Sequence, residues 1–209
     1  MTTGIGSEIP DWLDVSPETA DRLRQLSALV AKWTPAINLV SKSTLPHLWS
    51  RHILDSAQLF ALAPATATRW LDLGSGGGFP GLVIAVLAAQ PQPETKVILV
   101  ESDQRKCVFL SEAARQLSLR VDVQCLRIED LSPQSADVLT ARALAPLSQL
   151  CAHAARHLHP GGKALLQKGA LADSEVRTAQ TDWRFDLIRH RSRTDPAATI
   201  LDLKAIRHV

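Results

Sequence analysis

Five of the ten glycines in this 209-residue chain fall between Gly74 and Gly81. They follow an apolar segment at 69–73 that is typical of a buried strand, and they precede an apolar helix. Glycine lets a backbone approach a ligand closely, and the helix N-terminus behind the loop offers free N–H groups. This order predicts a nucleotide-binding turn if an acidic residue ends the next strand, as Glu101 does here.

The glycine spacing fits two classes of nucleotide-binding protein. Gly-x-Gly-x-x-Gly, starting at Gly76, matches dinucleotide-binding folds, whereas Asp72-x-Gly-x-Gly-x-Gly matches the loop of S-adenosylmethionine-dependent methyltransferases. Asp72 favours the second class, because its carboxylate would repel a pyrophosphate but not the cationic ammonium and sulfonium of S-adenosylmethionine. We therefore predict this cofactor, with its ribose hydroxyls on Glu101. The other residues of the loop expected to bind it are Asp72, Gly74, Ser75, Gly76, Gly78 and Phe79.

The first part of the chain is predicted to be helical, and in the rest strands alternate with helices. Helices are expected at 17–33, which Pro35 should end, and at 46–62. Alternation follows, with strands at 69–73, 96–101, 120–126, 136–141 and 164–167, and helices at 80–90, 103–118 and 146–159. Such alternation predicts an α/β fold with a mostly parallel, Rossmann-like sheet and helices on both faces. The tail at 183–209 is expected to add a β-hairpin that closes the sheet edge.

Length and composition predict a single catalytic domain over 1–209, in which 1–66 form an N-terminal helical extension. The net charge of +2 does not by itself imply nucleic-acid binding. Met1–Pro10 lacks the regions of a secretory signal, and no apolar stretch is long enough to cross a bilayer. Three scattered cysteines without a Cys-x-x-Cys spacing favour a reduced, cytoplasmic protein and argue against structural zinc. A monomer is the expected oligomeric state.

Beyond the glycine loop, the chain carries a series of short segments in a fixed order. They are Asn38-Leu39, Arg51-His52-Ile53-Leu54-Asp55-Ser56, Phe79-Pro80-Gly81, Glu101-Ser102 with Arg105-Lys106, Arg127-Ile128-Glu129, Ala141-Arg142-Ala143 and Lys168-Gly169. In these segments the chain resembles the small-subunit ribosomal RNA guanine-N7 methyltransferases, also called the glucose-inhibited division protein B family. The Arg-His-x-Leu-Asp-Ser segment is the most specific, since a generic methyltransferase has no need of it.

The resemblance implies a class I methyltransferase that transfers a methyl group to N7 of a guanine in small-subunit ribosomal RNA. It also implies that the RNA is taken from an assembled small subunit. Ile128 and Glu129 would then lie at the adenine, and Arg142 at the methyl acceptor or the cofactor carboxylate. The residues expected to position the reactants are Asn38, His52, Asp55 and Arg142. Those expected to contact RNA are Arg51, Ser56, Arg105, Lys106 and Lys168.

Some of these residues have an alternative structural reading. Arg51 and Asp55, four residues apart on the predicted helix, could form a surface ion pair, and His52 could be a buried core histidine. The resemblance instead places this helix over the active site. Arg142 could form a salt bridge with Asp137, or with Glu129. The sequence leaves open which residue of the Arg105-Lys106 pair faces the RNA.

Methylation at N7 requires no general base, because the lone pair lies in the ring plane and no proton leaves that nitrogen. Catalysis would consist mainly of positioning. A bidentate arginine on O6 and N7 would block the nucleophile. Arg142 is therefore expected to bind O6 alone, a phosphate or the cofactor carboxylate.

Three alternative functions can be compared with this one. The chain contains no tyrosine, which removes the Tyr-x-x-x-Lys pair of short-chain dehydrogenases and weakens the case for an NAD-dependent oxidoreductase. A small-molecule methyltransferase would have an enclosed apolar pocket, whereas an RNA enzyme would have an open cleft with a basic rim. An assembly factor that binds the cofactor without catalysis is the third.

Overall fold

The computed structural model describes residues 8–209. Residues 1–7, which belong to the predicted N-terminal extension and to the segment Met1–Pro10, lie outside the described residues. The strands are β1 (Arg69–Leu73), β2 (Lys96–Glu101), β3 (Val121–Cys125), β4 (Ala136–Arg142), β5 (Leu158–Lys168), β6 (Trp183–Arg191) and β7 (Thr199–His208). The α-helices are α1 (Pro17–Ile37), α2 (Asp55–Phe60), α3 (Gly81–Ala88), α4 (Gln104–Gln116), α5 (Leu147–His157) and α6 (Ala172–Ala179).

The seven strands form one sheet in the order β3-β2-β1-β4-β5-β7-β6. Strands β1 to β5 pair in parallel, and β7 is antiparallel to both β5 and β6. The predicted fold class, including the C-terminal hairpin at the sheet edge, is confirmed. The strand order reverses next to β1, and ligands of such sheets bind at the carboxyl ends of the strands at this point.

The sheet is covered on both faces because alternate side chains of each strand enter different cores. In β2, Val97 and Leu99 pack in the core that contains α1, α3 and α4. Ile98 and Val100 enter the core built with α5 and α6. This arrangement buries most of β1, β2 and β4, whereas the edge strand β3 is only half-buried, and it leaves the carboxyl ends of the strands as the accessible edge. Along residues 8–209, none of the helices combines the length and apolar character needed to cross a bilayer.

Helix α1 does not end at Pro35, as predicted, but continues to Ile37. A proline inside a helix removes one backbone hydrogen bond, here the bond to the carbonyl of Ala31. Ala31 is exposed, so its carbonyl can be solvated instead. The N–H of Asn38 still donates to the carbonyl of Thr34 at 2.9 Å and closes the last turn. A proline this near the helix end therefore costs too little to stop it.

The predicted continuous helix at 46–62 is wrong. The segment consists of a 3₁₀ turn (Leu45–His47), a π-helical turn (Trp49–Leu54) and α2. In a π turn the hydrogen bonds run from residue i to i+5, so residues four apart no longer stack as in an α-helix. Trp49 and Ile53 remain buried in the core. Helix α6 was not predicted at all.

Candidate active site

Two adjoining cavities open at the carboxyl ends of the central strands. The large cavity, of about 870 Å³, lies between the glycine loop, the segment before α2, the ends of β4 and β5, and the turn between β6 and β7. The small cavity, of about 290 Å³, lies beside the ends of β2 and β3. The residues that line both cavities are Gly74, Gly76, Leu144 and Ala145.

Gly76 is the glycine of the loop that leaves room for a ligand. It has a φ of 55°, and a Cβ placed on it would find its nearest heavy atom, the Gly74 carbonyl oxygen, 3.8 Å away. By contrast, a Cβ on Gly78 or Gly81 would collide with the side chain of Leu82 or of Leu99. Gly81 thus lets α3 pack closely on the sheet. Gly78 lines neither cavity, so the structure does not support its predicted contact with the cofactor.

The predicted contact of Asp72 with the cofactor is also corrected by the structure. Asp72 is fully buried beneath the loop and lines neither cavity. Its carboxylate accepts hydrogen bonds from the Thr140 hydroxyl at 2.8 Å and from the Gly81 N–H at 3.2 Å. Burial raises the pKa of Asp72 to about 6, although these hydrogen bonds oppose the rise. Asp72 therefore braces the glycine loop from below.

Glu101 is fixed where β2 ends, at the wall of the small cavity. One carboxylate oxygen accepts the N–H of Gly76 at 2.9 Å, and the other accepts the N–H groups of Ser102 and Asp103, both at 2.8 Å. These bonds join the glycine loop to the start of α4 and orient the carboxylate. The predicted residues Ile128 and Glu129 line the same cavity. Further lining residues, which the sequence did not suggest, are Leu126, Gln149 and His153.

The structure separates Arg105 from Lys106. Lys106 lines the small cavity. Arg105 lines neither cavity; its guanidinium lies 3.4 Å from the Asp103 carboxylate, and its side chain is 70% exposed. The basic pair therefore presents its lysine to the cavity and its arginine to solvent.

Arg142 lies where the large cavity meets the segment before α2. Its guanidinium donates to Nδ1 of His52 at 2.7 Å and to the carbonyl of Arg51 at 3.1 Å. It also lies 3.6 Å from the Asp55 carboxylate and 5.4 Å from the centre of the Phe79 ring. The alternative salt bridges to Asp137 or Glu129 do not occur among the described residues.

His52 is held as a neutral imidazole. Because Nδ1 accepts from Arg142, the ring proton sits on Nε2, which lies 3.2 Å from the Thr44 hydroxyl. Burial, together with the nearby positive charges of Arg142 and Arg51, lowers the pKa of His52 to about 4. The ring packs against Phe79 with 5.0 Å between ring centres. These contacts leave a flat, uncharged wall beside the arginine.

Asp55 does not form the surface ion pair with Arg51; instead, its carboxylate accepts several side-chain hydrogen bonds. Its carboxylate accepts from the side-chain amides of Gln167 at 2.8 Å and Gln58 at 2.9 Å, and from the Thr194 hydroxyl at 2.8 Å. These contacts join the start of α2 to the end of β5 and to the turn between β6 and β7. Sequence reasoning missed the three partners because two of them are 112 and 139 residues away along the chain.

Two further predicted site residues do not reach either cavity. Ser56 is completely buried and its hydroxyl has no hydrogen-bond partner, so it cannot contact RNA in this structure. The sequence places His52 and Ser56 on one face of a continuous helix, but the π turn at Trp49–Leu54 interrupts that spacing. Asn38 is exposed and ends α1 with a φ of 50°, a conformation that asparagine tolerates well. Asn38 therefore caps the C-terminus of α1, and it does not lie where it could position the reactants.

Other predicted residues do line the large cavity. They are Arg51, His52, Asp55, Gly74, Ser75, Gly76, Phe79, Arg142 and Lys168. The ammonium of Lys168 donates to the Glu175 carboxylate at 2.7 Å and to the Ala145 carbonyl at 2.8 Å. Within the described ranges, no group of three or more histidine, cysteine or acidic side chains could hold a metal ion.

Comparison with known proteins agrees with this geometry. The family model for rRNA small subunit methyltransferase G matches residues 19–198. The Ribosomal RNA small subunit methyltransferase G of Cereibacter sphaeroides is 52% identical over 202 residues, which are 97% of each chain. The protein of the same name from Paracoccus denitrificans is 48% identical over 197 residues, covering 94% of this chain and 100% of that one.

Solved structures show the same fold at low identity. The ribosomal protein L11 methylase of Lactobacillus delbrueckii subsp. bulgaricus aligns with a TM-score of 0.58 and 16% identity, over 72% of this chain and 76% of its own. P. horikoshii TYW2 in complex with MeSAdo aligns with a TM-score of 0.57 and 17% identity, over 74% of this chain and 62% of its own. The resemblance predicted from the short segments is thus confirmed: the chain belongs to the rRNA small subunit methyltransferase G family.

Proposed function

We propose that this protein transfers the methyl group of S-adenosylmethionine to N7 of a guanine in small-subunit ribosomal RNA. The observation that carries the proposal is the junction of the two cavities at Gly76, where a nucleoside site meets a cleft wide enough for a base. The protein would act as a cytoplasmic monomer on the assembled subunit. It would be a single domain over 1–209, whose extension at 1–66 covers the active site.

The residues of the small cavity suit the nucleoside part of S-adenosylmethionine. Glu101 would accept the ribose hydroxyls, since a carboxylate held by backbone N–H groups is already oriented for them. Ile128 would contact the adenine, with Glu129 near its edge. Gly76 supports this placement, because it lines both cavities and its missing side chain leaves space at the point where they adjoin.

The large cavity suits the acceptor guanine. When bound, the cofactor would supply an electrophilic methyl group, which the N7 lone pair would take as the carbon–sulfur bond breaks, with no proton transfer. The protein therefore needs to orient N7 in line with the methyl group and to exclude water. Because His52 is neutral and packs on Phe79, its ring adds no positive charge of its own beside the purine.

Arg142 would orient one of the two reactants. A guanidinium has five N–H donors, and two bonds of Arg142 go to His52 and the Arg51 carbonyl. The remaining donors can reach guanine O6 alone or the cofactor carboxylate. Either contact leaves the N7 lone pair free.

The shape and charge of the large cavity favour RNA over a small molecule. Its lining includes the exposed Arg51 as well as Arg142 and Lys168, and it opens widely between the helical segment and the end of β5. Lys168 pairs with Glu175 and Arg142 lies near Asp55, so the exposed Arg51 is the cation at this open cleft that is best placed to meet the phosphate backbone of an RNA.

The test is transfer of radiolabelled methyl groups from S-adenosylmethionine to small ribosomal subunits that lack this modification. Label in small-subunit ribosomal RNA, located at one guanine by nucleotide mapping, is the expected result. Label on small molecules alone would favour a small-molecule methyltransferase. Cofactor binding without any transfer would favour an assembly factor.

A further inference from the structure

Leu171 is an exposed leucine at the rim of the large cavity. Its relative exposure is 70%, the highest among the exposed large apolar side chains of the described residues, which also include Val108 and Ile188. Leu171 lines the large cavity, whereas Val108 and Ile188 line neither cavity. An apolar side chain that reaches into solvent beside a binding cleft is suited to contact what enters the cleft.

The backbone presents Leu171 rigidly. The N–H of Ala172 donates to the Gly169 carbonyl at 3.0 Å, which closes the turn before α6. The Leu171 carbonyl accepts the N–H of Glu175 at 3.0 Å and the Ser174 hydroxyl at 2.8 Å. Glu175 in turn holds Lys168 at 2.7 Å and the N–H of Leu147 at 2.8 Å. The leucine is therefore exposed by a fixed turn and not by a loose loop.

A guanine in folded RNA has to be unstacked before its N7 can reach the large cavity, and an apolar side chain beside the cavity would help. In an A-form helix the major groove, where N7 lies, is deep and too narrow for protein to enter. A guanine that enters the large cavity must therefore leave its stack, which exposes the faces of the neighbouring bases to water. In other nucleic-acid complexes, apolar side chains insert between base steps and hold them unstacked.

We propose that Leu171 is a wedge that packs on the base next to the target guanine and fills the space the guanine leaves. Basic residues at the same cavity, the exposed Arg51 and the anchored Lys168, support an RNA partner for this leucine. The proposal rests on the proposed function, because it assumes an RNA acceptor that is drawn out of its stack.

The test compares three variants in single-turnover methyl transfer to small ribosomal subunits with saturating S-adenosylmethionine. Leu171→Ala should lower the rate about tenfold, because the unstacked state loses its apolar partner. Leu171→Met should stay within about twofold of the unmodified enzyme, since methionine also provides a long apolar side chain. Ile188→Ala, which removes a comparably exposed aliphatic side chain from β6, is the matched control and should leave the rate unchanged.

Two further measurements distinguish a wedge from other roles. Calorimetry should give the same S-adenosylmethionine affinity for Leu171→Ala as for the unmodified protein. A photo-crosslinking residue at position 171 should attach to the ribosomal RNA nucleotide that flanks the methylated guanine.

Several results would overturn the wedge. They are an unchanged rate for Leu171→Ala, an equal loss for Ile188→Ala, a fall in cofactor affinity that matches the fall in rate, or a crosslink to a ribosomal protein. If the unmodified enzyme transfers no methyl group to subunits, the proposed function itself fails. An active enzyme that is indifferent to Leu171→Ala rejects the wedge alone.

Discussion

The two cavities differ in how the chain builds them. The small cavity takes its main predicted residues from the carboxyl ends of successive parallel strands and the segments that follow them; these residues are Gly76, Glu101, Ile128 and Glu129. The large cavity joins the segment before α2 to the end of β5 and to the turn between β6 and β7, through Asp55. The first kind of site follows from local motifs, whereas the second exists only after distant segments have packed together.

The largest effect is expected for Gly76→Val, which tests whether the cavities share one cofactor. A branched side chain would enter the passage between them and would also be strained at a φ of 55°. Calorimetry should detect no S-adenosylmethionine binding, while circular dichroism still shows the fold. Gly169→Ala is the control, because nothing lies within 4 Å of its new Cβ. Unchanged affinity for Gly76→Val would move the cofactor elsewhere.

The second-largest effect is expected for substitutions of Arg142, which lines the large cavity. Arg142→Ala should lower the methylation rate at least about tenfold, since each charge-assisted hydrogen bond contributes about 1.5–3 kcal/mol. Arg142→Lys should not restore it fully, because lysine lacks the planar fork. Arg105→Ala, at an exposed position, should be neutral. The melting temperature of Arg142→Ala should fall by only a few degrees; unfolding or full activity would show that the residue is structural or peripheral.

A smaller effect, confined to the acceptor side, is expected for Asp55→Asn. The amide keeps the shape of the side chain but brings an N–H donor towards the Gln167 amide, which already donates to this position. Methylation should fall about fivefold, the cost of one mismatched hydrogen bond. Cofactor affinity should stay within about twofold, because Asp55 does not line the small cavity. A parallel loss of cofactor binding would show that the two cavities are not independent.

The smallest effect is the pH dependence of the rate. His52 stays neutral because its pKa is lowered to about 4, and no general base is required. Single-turnover methylation should therefore be nearly flat between about pH 6.5 and 8.5. A loss of rate near pH 6.5, where an ordinary histidine titrates, would contradict the conclusion that His52 stays neutral.

Stability should respond to pH in the same region of the molecule. The folded pKa of His52 lies below its ordinary value of 6.5, so between pH 6.5 and about 4 the unfolded chain binds a proton that the folded protein does not. The His52 contribution to the free energy of unfolding should therefore decrease as the pH falls through this range. Asp72 acts oppositely, because its pKa is raised from 3.8 to about 6. Urea denaturation of His52→Gln should show a weaker loss of stability on acidification than the unmodified protein.

The sequence predicted the parallel sheet, the glycine loop and the role of Glu101 as a cavity residue, because each depends on a short pattern of neighbouring residues. It did not predict which way side chains point. Asp72 has the expected spacing but turns beneath the loop, and Ser56 is buried because a π turn replaces the assumed α-helix. Contacts such as those of Asp55 with Gln167 and Thr194 depend on tertiary packing, for which a single sequence carries no local signal.

The contact between Thr194 and Asp55 has a consequence for the order in which the protein matures during synthesis. Asp55 leaves the ribosome long before Gln167 and Thr194, and β7, which follows β6 along the chain, lies between β5 and β6 in the sheet. A nascent chain that ends after α5 already contains every residue that lines the small cavity. Its acceptor cleft still lacks one wall. The large cavity is therefore complete only once the β6–β7 hairpin has packed against Asp55, whereas the small cavity does not depend on it.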